Sequence, residues 1–184
     1  MELLSLDDLG VVGEPAEDGR TFEANARIKA RFALEATGLP ALADDSGLEV
    51  EALDGRPGVH TRRYAGPEAT DADNNARLLR ELAGLPPERR SARYVCVLAL
   101  ARPGVPIVTR RGTCRGRIAT EPRGTGGFGY DPIFEPAGEL AGGRTFGLYS
   151  DEEKSRISHR ARAAARLRPV IEAAGLQPGA GRLS

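Results

Sequence analysis

The stretch Gly124–Pro132 (Gly-Thr-Gly-Gly-Phe-Gly-Tyr-Asp-Pro) places four glycines, two aromatic residues and one acid within nine positions. Glycine loses more backbone freedom on ordering than any other residue, so this stretch forms no helix and interrupts any strand. It fits a glycine-rich hairpin turn whose two aromatic residues pack inward. It also fits a loop that binds a heteroaromatic base, with Phe128 and Tyr130 stacking on the ring and Asp131 accepting its N–H groups. The stretch alone does not decide between them.

Composition narrows the class of protein. The chain has 184 residues and a formal net charge of zero, which predicts a single domain over residues 1–184 and no binding to nucleic acid through bulk charge. We expect no membrane span, because no apolar run reaches about 18 residues, and no secretory signal. Cys96 and Cys114 form no metal-binding motif, so a zinc site is not expected. These features predict a reduced, cytoplasmic protein.

Local patterns predict a partial alternation of strands and helices. Helices are expected from a Thr21 cap to about Thr37 and over Thr70–Leu82. A further helical region begins at the capping box Ser150–Glu153 and breaks near His159. Strands are expected at Met1–Leu6, Leu42–Ala43, Leu48–Leu53, Ala92–Ala101 and Val105–Ala119. The last forms one long strand or two, with bends or bulges at Gly112 and Gly116. The nearly continuous apolar run Ala92–Ala101 is typical of a strand covered on both faces. The fold class predicted is α/β with a mixed sheet.

Acidic residues supply a candidate metal site. The segment Asp44–Gly47 (Asp-Asp-Ser-Gly) lies between two short predicted strands, and adjacent carboxylates need a cation or solvent. Mg²⁺ binds carboxylate oxygens. Consecutive strand residues face opposite ways, so the two acids have different roles, while Ser46 can donate to a ligand. A solvated turn is the alternative. One of Glu14, Glu17 and Asp18 in an earlier loop could add a second metal ligand.

The segment Glu152–Arg160 brings together cations and hydrogen-bond donors. Lys154 and Ser158 are four residues apart and share a helical face, whereas His159 and Arg160 are rotated away from it. All four meet one ligand only if the helix bends near Ser158; otherwise this is an amphipathic helix with a basic face. A nucleoside triphosphate with Mg²⁺ needs the stacking loop, the carboxylates and these cations together.

Taken together, these residues resemble the inosine triphosphate pyrophosphatase family. The matching segments are Thr21–Ala26, Leu42–Leu48, Pro57-Gly58, Arg63-Tyr64, Gly124–Pro132, Glu153–Ser155 and Ser158–Arg160. The resemblance implies Mg²⁺-dependent hydrolysis of ITP, dITP and XTP to the monophosphate and pyrophosphate, which cleanses the nucleotide pool. It also implies a homodimer, and an elongated mixed sheet flanked by helices that form two lobes around a central cleft.

Site residues follow from the same resemblance. It implies that Asp45 is the general base and a metal contact, and that Glu17 or a neighbouring acid is the second metal ligand. The implied substrate contacts are Ser46, Phe128, Gly129, Tyr130, Asp131, Lys154, His159 and Arg160. Within this set, the glycine-rich loop holds the base by stacking and hydrogen bonding. His159 and Arg160 read the purine 6-oxo group and help to exclude adenine.

The start of the sequence departs from the family pattern. The family opens with a strand and a Thr-x-Asn-x-x-Lys loop that binds phosphate, whereas Met1–Leu6 resembles the family's second strand. The resemblance therefore also leaves open an alternative function, a purine-nucleotide-binding protein with impaired catalysis.

Overall fold

Four strands form one sheet in residues 3–176, the part of the chain that the computed structural model describes. They are β1 (Ala41–Val50), β2 (Ser91–Arg102), β3 (Val105–Ile118) and β4 (Phe134–Pro136), paired in chain order. The predicted α/β class is confirmed. The predicted mixed sheet is not found: every pairing among the described strands is antiparallel. The two residues between β2 and β3, Pro103 and Gly104, allow only an antiparallel hairpin.

Four α-helices accompany the sheet in the described residues: α1 (Phe22–Thr37), α2 (Asp71–Glu81), α3 (Asp151–Ile157) and α4 (His159–Ala173). The predicted Thr21 cap is confirmed, since its Oγ1 accepts a hydrogen bond from the backbone N–H of Ala24 at 3.1 Å. The capping box at Ser150 is also confirmed. No helix within residues 3–176 has the length and apolar character needed to cross a bilayer.

The sheet buries an apolar core on each face. On one face, Phe22, Ala26 and Ala30 of α1 pack with Val95 and Val97 of β2. These α1 residues recur every four positions, which places them on one helical stripe. The second core, on the other face, contains strand residues and aromatic residues. They are Leu48, Val50, Tyr94, Phe134 and Phe146, together with Leu78 and Ile133. The apolar run of β2 therefore serves both cores, as predicted.

Two strand predictions are wrong. The Asp-Asp-Ser-Gly segment does not separate two strands, because β1 runs unbroken from Ala41 to Val50 and pairs with β2 along its whole length. The alternative of a solvated turn fails for the same reason. Residues 3–6 form no strand; Leu6 lies in a turn and accepts a hydrogen bond from the N–H of Val11. Residues 1 and 2 of the predicted Met1–Leu6 strand lie outside the described residues.

The glycines of β3 are sites of close packing, and the pairing with β2 has no register shift, and so no bulge, at either glycine. A Cβ added at Gly112 would lie 2.1 Å from the carbonyl oxygen of His159 and 2.4 Å from the N of Ala163. A Cβ at Gly116 would lie 2.1 Å from the carbonyl oxygen of Glu135. Gly112 therefore allows the first turn of α4 to lie directly on β3.

Arginine side chains bind the backbone of β3 at alternate positions. The hydrogen bonds run from Arg27 to the Ile107 oxygen at 3.1 Å, Arg110 to Thr109 at 2.8 Å, Arg166 to Arg111 at 2.5 Å, and Arg162 to Thr113 at 2.9 Å. In an antiparallel ladder, every second residue directs its carbonyl away from the partner strand. Over this part of β3, the only strand partner among the described residues is β2. The arginines thus occupy the outward-facing acceptors.

We predict that Gly112→Ala lowers the free energy of unfolding by about 1–3 kcal/mol, because the new methyl group meets backbone that cannot rotate away. Chemical denaturation would measure the change. Arg115→Ala, at an exposed position of the same strand, is the control and should change stability by less than about 0.5 kcal/mol. Equal stability of Gly112→Ala and the parent would contradict the close packing of α4 on β3.

Candidate functional site

Strand β1 directs its two adjacent acids toward different helices. Asp45 accepts hydrogen bonds from Lys29 of α1 at 2.9 Å and from the Asn25 amide at 3.2 Å. Asp44 accepts from Arg160 of α4 at 3.1 Å and from the Ser46 hydroxyl at 2.9 Å. This agrees with the expectation that consecutive strand residues face opposite ways. The site therefore has two parts, one on each face of β1.

On the α1 face, a lysine joins two carboxylates. The Lys29 ammonium lies 2.9 Å from Asp45 Oδ1 and 3.0 Å from Glu17 Oε1. Asn25 connects the same elements, because its Oδ1 accepts from the N–H of Gly19 at 2.9 Å while its Nδ2 donates to Asp45. We call Glu17, Asn25, Lys29 and Asp45 the carboxylate–lysine cluster. Sequence reasoning assigned no role to Lys29; the available signal was that Lys29 and Lys154 are the only lysines in the chain.

For both Asp45 and Lys29, burial and the neighbouring opposite charges shift the pKa in opposite directions. Burial raises the pKa of the Asp45 carboxyl, while the hydrogen bonds and charge of Lys29 and the Asn25 amide oppose that rise. For Lys29, burial alone would lower the pKa. Hydrogen bonds and charge from Asp45 and Glu17 outweigh it, so the pKa of Lys29 is raised and the ammonium stays charged. A buried carboxylate with a raised pKa is a stronger proton acceptor than an ordinary aspartate.

The carboxylate–lysine cluster supplies two carboxylates that suit Mg²⁺. Two carboxylates converge on a single cation position, which the Lys29 ammonium occupies. No group of three or more His, Cys, Asp or Glu suited to a metal occurs within residues 3–176. Mg²⁺ commonly uses one or two carboxylates and takes its other ligands from phosphate and water. Glu17 is the loop acid that contacts Lys29; Glu14 and Asp18 form no ion pair with the described residues.

On the other face, Phe128 stands out from the glycine-rich loop. Its side chain is 56% exposed, and both neighbours, Gly127 and Gly129, have left-handed backbone with φ of 75° and 59°. The Lys154 Nζ lies 4.4 Å from the ring centroid and the Arg160 Cζ lies 5.2 Å from it. We call Phe128, Lys154 and Arg160 the aromatic–cation cluster. It presents one open ring flanked by two positive charges.

Asp131 organises the loop from inside. It is buried, and one oxygen accepts from the Tyr94 hydroxyl at 3.2 Å. The other oxygen accepts from the N–H of Phe128 at 2.8 Å and from the Lys154 ammonium. These contacts differ from the free acceptor for ring N–H groups that the sequence predicted, because the carboxylate already has three donors.

Tyr130 and Gly129 are also held by the protein. Tyr130 is only 3% exposed and its hydroxyl donates to the Thr61 carbonyl at 2.8 Å. The prediction that Tyr130 offers a stacking face is therefore wrong. Gly129 donates its N–H to Asp71 Oδ2 at 2.6 Å and accepts at its carbonyl from the Asn75 amide at 3.0 Å. The loop thus combines both interpretations of its sequence, with one aromatic residue packed inward and one exposed.

The predicted break near His159 is confirmed at Ser158, whose extended backbone separates α3 from α4. His159 is buried and stacks on Tyr94, with ring centroids 4.7 Å apart and an angle of 10°. Burial, and then the charges of Arg160 and Lys154, lower its pKa to about 3. The imidazole is therefore neutral, and its buried Nδ1 has no hydrogen-bond partner within the described part of the chain.

The break brings the predicted segments together. Arg160 contacts Phe128 and Asp44, and Asp44 is the chain neighbour of Asp45. Lys154 contacts both Phe128 and Asp131. Ser46 faces Asp44 and not Asp45. The two clusters therefore lie on opposite faces of β1 and are linked through Asp44, which contacts Arg160 and precedes Asp45 in the chain.

Solved structures similar to this chain include a Ham1 protein and a dITP/XTP pyrophosphatase. The Staphylococcus aureus Ham1 protein superposes with a TM-score of 0.85 at 37% identity, covering 94% of this chain and 88% of that one. A Mycobacterium abscessus protein named nucleoside-triphosphatase / dITP/XTP pyrophosphatase has a TM-score of 0.77 at 47% identity, covering 92% and 85%.

Sequence comparison gives the family. The Ham1 family model matches residues 1–170, so the chain belongs to the Ham1 family. A dITP/XTP pyrophosphatase from Syntrophobacter fumaroxidans is 53% identical over 163 residues, which is 89% of this chain and 68% of that protein. One from Geobacter sulfurreducens is 49% identical over 175 residues, covering 95% and 86%. The resemblance inferred from the motifs is confirmed.

We predict that the NMR resonances of the His159 imidazole stay constant from about pH 8 to about pH 5, because a pKa of about 3 keeps the ring neutral. The stability linked to this neutral ring is complete above its unfolded-state pKa of 6.5 and is lost as pH falls toward 3. His60→Gln, which removes the other histidine, would assign the signals. A titration midpoint near 6.5 would contradict this prediction.

Proposed function

We propose that this chain hydrolyses deaminated purine nucleoside triphosphates, namely dITP, ITP and XTP, to the monophosphate and pyrophosphate. Membership of the Ham1 family and the names of its relatives support this activity. The observation that supports the proposal most is that adjacent residues of β1, Asp44 and Asp45, each contact one of the two clusters. The carboxylate–lysine cluster suits a triphosphate, and the aromatic–cation cluster suits a purine.

The carboxylate–lysine cluster would receive the phosphates. Glu17 and Asp45 would hold a Mg²⁺ ion, and the bound ion supplies neutralising charge to the phosphate oxygens. The Lys29 ammonium, which lies where both acids converge, would have to move aside for the ion and would then supply a further positive charge to the phosphates. The residues of this cluster would align the triphosphate. Alignment is the main requirement of phosphoryl transfer.

Asp45 is proposed as the general base. Its carboxylate is held by Lys29 and Asn25, and a carboxylate so positioned can take a proton from water. The water oxygen would form a bond to the α-phosphorus in line with the bond to the leaving oxygen. The bond between the α-phosphorus and the leaving oxygen breaks, and pyrophosphate departs with its electron pair. The proton from water is then on Asp45. Asn25 holds the carboxylate in a fixed orientation for this step.

The aromatic–cation cluster would recognise the base. Phe128 is exposed and can stack on a purine. Arg160, beside that ring, would donate to the 6-oxo oxygen, with neutral His159 behind it. Adenine carries a 6-amino group there, and a buried donor left unpaired costs about 1–3 kcal/mol. Asp131 and Tyr130 are proposed to shape this pocket from inside, and Ser46 to act beside Asp44.

Incubation with Mg²⁺ and each nucleotide in turn would test the proposed activity. We expect pyrophosphate release from ITP, dITP and XTP that greatly exceeds release from GTP and ATP. Release of free phosphate would contradict the proposal. Binding of ITP without pyrophosphate release would favour the alternative of a catalytically impaired nucleotide-binding protein. The cytoplasmic location, the homodimer and the single domain over residues 1–184 stay predictions.

We predict that Asp45→Asn lowers kcat for ITP by at least about 100-fold, because an amide cannot accept the water proton. Circular dichroism should show an unchanged fold. Asp54→Asn makes the same chemical change at an exposed residue outside both clusters and should retain the parent rate. An Asp45→Asn rate within about threefold of the parent, far short of the loss expected for a general base, would remove Asp45 from this role.

A further inference from the structure

Two side chains of helix α2 form hydrogen bonds with Gly129, the residue that follows Phe128. The N–H of Gly129 donates to Asp71 Oδ2 at 2.6 Å, and its carbonyl accepts from Asn75 Nδ2 at 3.0 Å. Asp71 and Asn75 are four residues apart, so they lie on one face of the helix. Both polar groups of a single peptide residue are thus bound by two side chains of a distant helix. None of the segments that carry the family resemblance includes these side chains.

The loop needs such support because Phe128 itself is not packed. Its ring is more than half exposed, and the glycines on either side have few steric restrictions on their backbone. Inside the loop, the Phe128 N–H is bound by Asp131. Within residues 3–176, only the contacts to Asp71 and Asn75 link the Gly129 backbone to a helix. Loss of these contacts would free the backbone to rotate and would change where the ring stands.

Helix α2 is itself fixed to the segment after β1. Asn74 accepts from the Ala65 N–H at 2.7 Å and donates to the Arg62 carbonyl at 3.0 Å. Thr61, in the same segment, accepts at its hydroxyl from the Leu48 N–H of β1 at 3.2 Å. Hydrogen bonds therefore connect β1, which carries Asp44 and Asp45, to the helix that holds the Phe128 loop.

The Asn75 side chain shows a cost of this arrangement. Asn75 is buried, and its Oδ1 has no hydrogen-bond partner within the described residues. A buried acceptor without a partner reduces stability and is rare in folded proteins. The amide is oriented so that its donor meets the Gly129 carbonyl. This is consistent with a residue placed for the loop rather than for the core.

We propose that Asp71 and Asn75 are positioning residues that set the affinity for the purine base by fixing Phe128, without touching the base. The inference rests on the proposed function and extends it to two residues of α2. Because they act on the base and not on the phosphates, they should control KM and base selectivity but not kcat.

The test is a double-mutant cycle between Asp71→Ala and Phe128→Ala, with steady-state kinetics on ITP and ATP. We expect Asp71→Ala to raise KM for ITP about tenfold or more, with kcat within about twofold of the parent and a reduced preference for ITP over ATP. In the Phe128→Ala background the same substitution should have no further effect on KM. Asn75→Ala should behave like Asp71→Ala.

Two controls separate positioning from general damage. Asp71→Asn keeps an oxygen that can accept from Gly129 and should restore the parent KM. Arg80→Ala, at an exposed position of the same helix, should leave both kinetic constants unchanged. An unchanged KM in Asp71→Ala, or an equal rise in KM with and without Phe128, would overturn the inference.

Failure of the proposed function would be seen separately. A parent protein that releases no pyrophosphate from any nucleotide would contradict the proposed activity. Calorimetry would then measure ITP binding to the parent, Asp71→Ala, Phe128→Ala and the double variant, and would decide the positioning role. Additive losses of affinity would overturn it, and a loss confined to proteins that keep Phe128 would support it.

Discussion

Side-chain alternation along β1 is the constraint on which the candidate site depends. Asp44 and Asp45 are neighbours in sequence, yet Asp44 meets Arg160 of α4 and Asp45 meets Lys29 of α1. This division holds only while β1 keeps its register with β2, because a slip by one residue would exchange the faces of all its side chains. The full-length pairing of the two strands fixes that register. One strand thus places the carboxylate–lysine cluster on one face and the aromatic–cation cluster on the other.

Pairing of buried charges gives each face of β1 its own cation. The chain has two lysines, and each contacts a buried carboxylate: Lys29 with Asp45, and Lys154 with Asp131. Burial of a carboxylate without a partner would favour its neutral form. His159 remains neutral instead, because burial and the charges of Arg160 and Lys154 outweigh the opposing charge of Asp44.

Local features were predictable from the sequence and distant ones were not. The Thr21 cap, the Ser150 capping box and the break before His159 depend on neighbouring residues, so their patterns predicted them correctly. The Asp-Asp-Ser-Gly segment has turn-forming residues, but pairing with β2 overrides that preference. Gly112 is required by a helix that starts 47 residues later (112 to 159). The inward direction of Tyr130 and the contacts of Asp71 and Asn75 with Gly129 likewise depend on the tertiary fold.

The arginine side chains along β3 have a consequence for how molecules of this protein meet one another. An exposed strand edge is a template on which a strand of another molecule can add, and such addition leads to aggregation. Between Ile107 and Thr113, alternate carbonyl oxygens already accept from Arg27, Arg110, Arg166 and Arg162. An incoming strand would have to displace these bonds and approach a row of positive charge. The arginines thereby favour solubility at a sheet edge that β4 leaves uncovered.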